Sequence, residues 1–264
     1  MKKIISFVMA VSAMLVMTSC VSEDLNVNKN AADNDGGYIA LNVSQDDAMT
    51  TRAVQAAPGT WTVALGGQAT VNTTVGELAS RSLAAGDYTI QVYNYADEAA
   101  ALAANSNYGD AYYTGDLGIT DESQKVTVSA GATTPATLAL GKAKNAKLTI
   151  ESSVPASAAI TLTATGASSS RALTFTKAAD GDFDHTTAYF QATEVVSIGI
   201  TYNSVTLAVP KSLTMAGAAT ENKVVIATNG NGKISLTLTY DDEFTPGNSQ
   251  TITFDAATGE EITI

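Results

Sequence analysis

One cysteine, Cys20, and one histidine, His185, are all that this chain of 264 residues has of the two most chemically versatile side chains. A single cysteine has no partner for a disulfide within the chain. No Cys/His spacing of a metal site, no phosphate-binding loop and no Gly-x-Ser-x-Gly elbow is present, so His185 reads as a loop residue. No catalytic residue, cofactor or enzymatic activity is expected. Positive charge is scarce as well: 14 basic residues face 26 acidic ones, for a formal charge of −12. Such a surface repels phosphate backbones and anionic lipid heads, which excludes nucleic acid as a partner. After the first 19 residues no apolar run approaches the roughly 20 residues that span a bilayer. Leucine-rich helical heptads and a Pro- or Ser-rich linker are also missing. Alanine, threonine, valine and glycine dominate instead, a composition that points to an all-β fold.

The N-terminus is the most organised stretch. Lys2 and Lys3 precede an apolar segment at 4–16, and the small residues Thr18 and Ser19 lead to Cys20. A positive end, an apolar middle and a small-residue exit make a secretory signal peptide. With cysteine at the exit, residues 1–19 resemble a bacterial lipoprotein signal, in which Cys20 is acylated and becomes the first mature residue. Cleavage there would leave 12 basic against 26 acidic residues. The acyl chains would be the whole membrane anchor, each buried CH₂ contributing about 0.8 kcal/mol. Residues 20–36 are polar and aperiodic, and read as a flexible tether. Ser22-Glu23-Asp24 resembles the signal that sends Bacteroidetes lipoproteins to the outer face of the outer membrane.

Beyond the tether, alternation with period two sets in. Ile39, Leu41 and Val43 alternate with Tyr38, Ala40 and Asn42, and Thr60 to Leu65 repeats the pattern before Gly66-Gly67. Trp61 reads as a core anchor. After the turn at Gly86-Asp87, Tyr88, Ile90 and Val92 alternate with Thr89, Gln91 and Tyr93. Residues 97–104 are alanine-rich and suit two helical turns. Strands are expected at 124–128 and 137–140, separated by a turn at Gly131. Further β-like runs lie at 147–151, 160–165, 172–176, 195–202, 205–209, 223–227, 233–240, 250–254 and 261–264. Short runs spaced by about 8 to 12 residues, with an Asn-Gly hairpin at 229–232, are a sandwich signature.

The succession LAAGDYTIQVYNY, YGDAYYTGD, QKVTVSAGATTPATLAL and AKNAKLTIESSVP, followed by TTAYFQATEVVSIGITYN, resembles a Bacteroidetes family of surface lipoproteins of unassigned function. That family is related to the fimbrillins, the pilin subunits of the phylum. The resemblance spans residues 36–264 and implies two tandem β-sandwich domains of transthyretin-like Greek-key type. We place them at 37–141 and 142–264, with the boundary near Gly141-Lys142. It also implies a role at the cell surface, lipid-anchored to the outer membrane, and possible assembly into fimbriae. In fimbrillins an arginine-specific protease cuts near the N-terminus, and a neighbour's strand fills the groove that opens. Arg52 is the matching candidate, with Arg81 and Arg171 as other places for nicking.

Acidic turns at 180–184 and 241–243 supply the oxygen ligands calcium prefers but lack the spacing of a calcium loop, so no metal site is assigned. The tyrosines are the more informative excess. Tyr93, Tyr95, Tyr108, Tyr112 and Tyr113 fall within 21 residues and are candidate contacts for a host protein or glycan, or else packing for a sandwich corner. Two functions follow. One is a lipid-anchored fimbrial or adhesive subunit that pairs with other pilin subunits by strand exchange, including the strand at 261–264. The other is a monomeric surface lipoprotein that binds a glycan or protein through the tyrosine-rich loops.

Overall fold

A computed structural model describes residues 36–47, 53–208, 211–215, 217–218, 220–230, 232–242 and 245–262. They are almost entirely strands, and the fold is all-β. The first half holds β1 (Gly36–Asp47), β2 (Ala53–Ala56), β3 (Thr62–Gly67), β4 (Val71–Thr74), β5 (Leu83–Ala84), β6 (Gly86–Tyr93), β7 (Thr114–Leu117), β8 (Val126–Val128) and β9 (Thr133–Ala139). Two short helices interrupt it, α1 (Val75–Leu78) and α2 (Glu98–Leu102). The second half continues with β10 (Ala146–Ser153), β11 (Ile160–Gly166), β12 (Ala172–Lys177), β13 (Thr187–Phe190), β14 (Val195–Tyr202), β15 (Val205–Thr206) and β16 (Lys211–Thr214). It ends with β17 (Glu221–Thr228), β18 (Lys233–Asp242), β19 (Thr245–Asp255) and β20 (Glu261–Ile262).

Alternation in sequence becomes alternation in burial. In β6, Tyr88, Ile90 and Val92 are wholly buried while Gln91 is exposed. In β11, Ile160, Leu162 and Ala164 point inward and Thr163 and Thr165 outward. Each half gathers such residues into one core between two sheets. The first core contains Ile39, Leu65, Ile90, Val128 and Leu138, with Trp61 packed on its margin. The second contains Leu148, Leu162, Phe175, Phe190, Ile226 and Phe254.

The two halves repeat one pairing scheme. In the first, β1 pairs antiparallel with β5 and parallel with β9, and the facing sheet runs β4-β3-β6 with β7 and β8 both on β6. In the second, β10 pairs antiparallel with β13 and parallel with β17, and the facing sheet runs β12-β11-β14 with β15 and β16 both on β14. The differences lie at the edges. The first half adds the β1–β2 hairpin, and the second extends β17 through β18, β19 and β20.

β1 holds its sheet together. The Tyr38 N–H donates to the Ala132 carbonyl and Leu140 N–H to the Ser44 carbonyl, so the even-numbered residues of β1 face β9. Val43 accepts from Ala57 N–H on the opposite edge, the edge shared by β2. Among the described residues, β2, β5 and β9 each pair with β1 and with no other strand. The helix α1 also packs against β1, the kind of cover that shields a sheet edge.

Short strands account for most differences from the sequence expectation. β2, β4, β7, β13 and β16 have four residues each, too few to establish a period on their own. The expected strand at 124–128 shrinks to Val126–Val128, because Asp121 caps a 3₁₀ turn over Glu122–Gln124 through the Ser123 N–H. The alanine-rich stretch forms one helix of five residues, capped by Asp97 at the Ala100 N–H. Among the described residues no helix is long and apolar enough to cross a membrane.

Candidate functional site

The residues 94–113 leave β6 and return at β7, and they lie against the second half. Three devices shape this strap. Asn94 and Asn145 act as surrogate strand neighbours: Asn94 Nδ2 donates to the Ala111 carbonyl at 2.7 Å and its Oδ1 accepts from Tyr113 N–H at 2.8 Å. Asn145, wholly buried, donates to the Asp110 carbonyl at 2.7 Å and accepts from Tyr112 N–H at 3.0 Å. Asn105, Ser106 and Asn107 are consecutive left-handed residues, a sharp reversal that asparagine tolerates better than most. At Gly109, φ is +80° and a Cβ would stand 3.2 Å from the Cβ of Tyr189, so the close approach of the halves there requires glycine.

The five tyrosines are dispersed over this structure. Tyr113 is 6% exposed and stacks on Trp61 with ring centroids 5.5 Å apart, inside the first core. Tyr108 crosses to the second half. Its ring stacks on His185 at 3.7 Å and meets the Phe175 ring edge-on at 5.2 Å, and its hydroxyl donates to the Thr174 carbonyl. Burial, and then the nearby Asp184 charge, push the Tyr108 phenol above its ordinary value. Tyr95 donates to Asp110 Oδ2 at 2.9 Å, and burial followed by that bond raises its phenol too. Tyr93 and Tyr112 are half-buried. Two of the five rings are therefore committed to packing, and Tyr93, Tyr95 and Tyr112 keep part of their surface open.

Cys20 and Arg52 lie outside the described residues, as do the side chains of the acidic turn at 241–243. Of the other arginines, Arg81 is exposed, whereas the Arg171 guanidinium is engaged. It donates to the Asn107 carbonyl of the strap and the Tyr189 carbonyl of β13, and lies 5.4 Å over the Phe190 ring. Burial lowers its proton affinity, and the Glu194 charge opposes that effect. Glu194 is 2% exposed; its oxygens accept the N–H groups of Ser168 at 3.0 Å, Ser169 at 2.6 Å and Gln191 at 3.2 Å. Glu98 in α2 faces this group across the seam. Burial, and then the Glu194 charge, raise its carboxyl above the usual range although it accepts from the Ala192 N–H. Its Oε1 is buried without a partner.

Two clefts flank the strap. One, of about 470 Å³, is lined by Leu102, Asn107, Ser169, Arg171, Leu173 and Gln191 among others. The other, of about 430 Å³, is lined by Tyr108, Asp110, Asp184, His185 and Thr187. In the second, Asp184 Oδ1 is occupied by the N–H groups of Thr176 and His185, both at 2.8 Å. Among the described residues no three His, Cys, Asp or Glu side chains converge as metal ligands would. The first cleft thus combines the apolar Leu102 and Leu173 with hydrogen-bonding groups, and the second is lined mainly by polar side chains. Sequence reasoning passed over Asn94, Asn145, Glu98 and Glu194, because a buried asparagine or glutamate has the same local pattern as one in a solvated loop.

Comparison with solved structures gives loose backbone likenesses. A protein from Bacteroides ovatus, provisionally named a cell adhesion protein, has 9% identity and a TM-score of 0.40, with 77% of this chain and 95% of that one covered. Another with the same provisional name, from Bacteroides fragilis, has 11% identity and a TM-score of 0.35, covering 80% and 96%. At these scores neither assigns a role to this chain. Comparison with curated proteins found no match. A family model does match, over residues 35–264, and by that match the chain belongs to the domain of unknown function DUF4493.

Proposed function

We propose that the protein is a surface-exposed, lipid-anchored structural or adhesion protein, a fimbrillin-like subunit or accessory that assembles by strand exchange and carries out no catalysis. The observation that supports it is the position of β1. This strand ends at Asp47, shortly before Arg52, and β2, β5 and β9 pair only with it among the described residues. A cut after Arg52 that freed the preceding chain would remove β1, leave those three strands without their ladder, and open the sites of Ile39 and Val43 in the first core. A strand from a second subunit would satisfy both needs at once, since it restores the backbone pairing and refills the apolar groove.

The test is limited trypsin digestion of the purified full chain, beside an Arg52→Ala variant. SDS-resistant ladders or filaments from the wild type alone are the expected result. Monomer that stays intact under trypsin, or ladders that form equally from Arg52→Ala, would sink this reading. The part-open Tyr93, Tyr95 and Tyr112, of which Tyr95 bonds to the cleft residue Asp110, favour the second function, a monomeric surface lipoprotein that binds a glycan or protein; a trypsin-indifferent monomer retained on a glycan array would support it.

A further inference from the structure

The two sheets of the second half present different outer faces. On the sheet containing β10 and β17, opposite charges pair: Lys147 lies 3.1 Å from Glu221, and Lys223 lies 2.9 Å from Glu151. Among the described residues, the outward positions of β12-β11-β14, with β15 and β16, carry no charged side chain, and Lys177 of β12 is buried on the inward side. One row across it reads Thr176, Thr161, Thr201 and Thr206. The next reads Thr174, Thr163 and Gly199, and a third begins at Thr165. The alternate residues of these strands, such as Leu162, Phe175 and Ile198, are buried in the core, so the threonines have no choice but to face outward. At one corner Val195 is 39% exposed.

The hydroxyls of this face are largely uncommitted. Thr163 donates to the Gly199 carbonyl at 3.4 Å, and Thr201 and Thr206 share a contact of 3.5 Å. Among the described residues those of Thr161, Thr165, Thr174 and Thr176 make no side-chain hydrogen bond. Asp184, at the rim, is turned to the edge of β12 and spent on backbone N–H groups.

We propose that this face docks an uncharged, hydroxyl-rich polysaccharide. Charge selects the class: a chain of formal charge −12 repels polymers bearing carboxylates or sulfates, and a cationic polymer is drawn to the acidic surfaces elsewhere. Each threonine offers one donor, two acceptor lone pairs and a methyl group, a match for sugar hydroxyls and the C–H faces between them. Size argues against a second copy of this chain. With strands about 4.8 Å apart and about 3.4 Å of rise per residue, the face covers roughly 400 Å². A stable protein interface takes about 800 Å² per partner. The proposal stands whether or not subunits exchange strands, because the face belongs to the second half and β1 to the first.

The test is retention of the full chain on insoluble cellulose, starch and mannan, with polygalacturonate as the acidic control. Retention on at least one neutral polymer and none on the acidic one is expected. The double variant Thr163→Glu, Thr174→Glu should lose at least tenfold in retained fraction while keeping a cooperative melt, although the like charges set directly opposite each other lower its Tm; Thr163→Ser and Lys223→Ala, on the opposite sheet, should keep their retention. Three results would overturn the assignment: no retention of the wild type on any neutral polymer, equal retention of the double glutamate variant, or a concentration-dependent dimer that this variant abolishes. The last would give the face to a second copy.

Discussion

The two halves share a pairing scheme and differ in how their sheets would survive losing the first strand. β10 is flanked by β13 and β17, and β17 continues into β18, β19 and β20. Without β10, four strands would still be paired. β1 is flanked by β2, β5 and β9, none of which pairs elsewhere among the described residues, so without β1 no ladder is left. The cores differ in the same sense. The second reaches across both long sheets, from Ala146 to Phe254, with three wholly buried aromatic anchors in Phe175, Phe190 and Phe254; in the first only Tyr88 is wholly buried at that size, with Tyr113 6% exposed beside Trp61 at the margin. The comparison teaches that one topology is a self-sufficient support in the second half and a strand-dependent one in the first.

The largest expected effect breaks that comparison directly. Ile39→Ala in β1 and Leu148→Ala in β10 each remove a wholly buried aliphatic side chain, at a cost of about 2–5 kcal/mol. Hydrogen exchange should localise the loss: Ile39→Ala should release β2, β5 and β9 while β17, β18 and β19 stay protected. Simultaneous loss of protection in both halves would show that they unfold as a single cooperative unit. A smaller effect tests the seam. Asn145→Ala removes the amide that serves both Asp110 and Tyr112 and leaves their backbone groups buried, a cost of about 1–3 kcal/mol read from a denaturant midpoint.

The smallest effect is in pH dependence, where the seam and the second half should respond with opposite signs. Glu98 has a raised folded-state pKa, so the seam is at full strength at low pH and loses stability as pH climbs from the unfolded-state value through the folded one. Glu221 titrates the other way. Burial alone would raise it, but the hydrogen bonds from Thr149 and Lys147 and the charges of Lys147 and Lys223 together hold it below its ordinary value. Its contribution is present above the unfolded-state pKa and is lost as pH falls through the folded one. Melting curves across the carboxylate range should therefore show that Glu98→Gln abolishes a loss on the alkaline side and Glu221→Gln a loss on the acid side.

Much of this fold was legible residue by residue. The alternation through Tyr88, Ile90 and Val92 marks which side chains are buried, and the same rule sends Thr163 and Thr165 outward. The helix at Glu98–Leu102 was announced by its alanines, and Asp97 supplied the cap. The tyrosine segment shows where such reading stops. Tyr112 and Tyr113 are neighbours, yet one is half-buried at the seam and the other stacks on Trp61 in the core. Composition identifies a cluster; only the path of the strap distributes it.

The sequence by itself determined that the described chain is built of strands and which face of each turns inward, because a period of two is a local property carried by adjacent residues. The tertiary structure alone decided that β1 pairs with β9 across some ninety residues, that Arg171 joins the strap to β13, and that the threonines of β11, β12 and β14 merge into one uncharged face. Partners so distant are chosen by the shape of the whole core and by the satisfaction of buried backbone groups. No stretch of sequence contains that choice on its own.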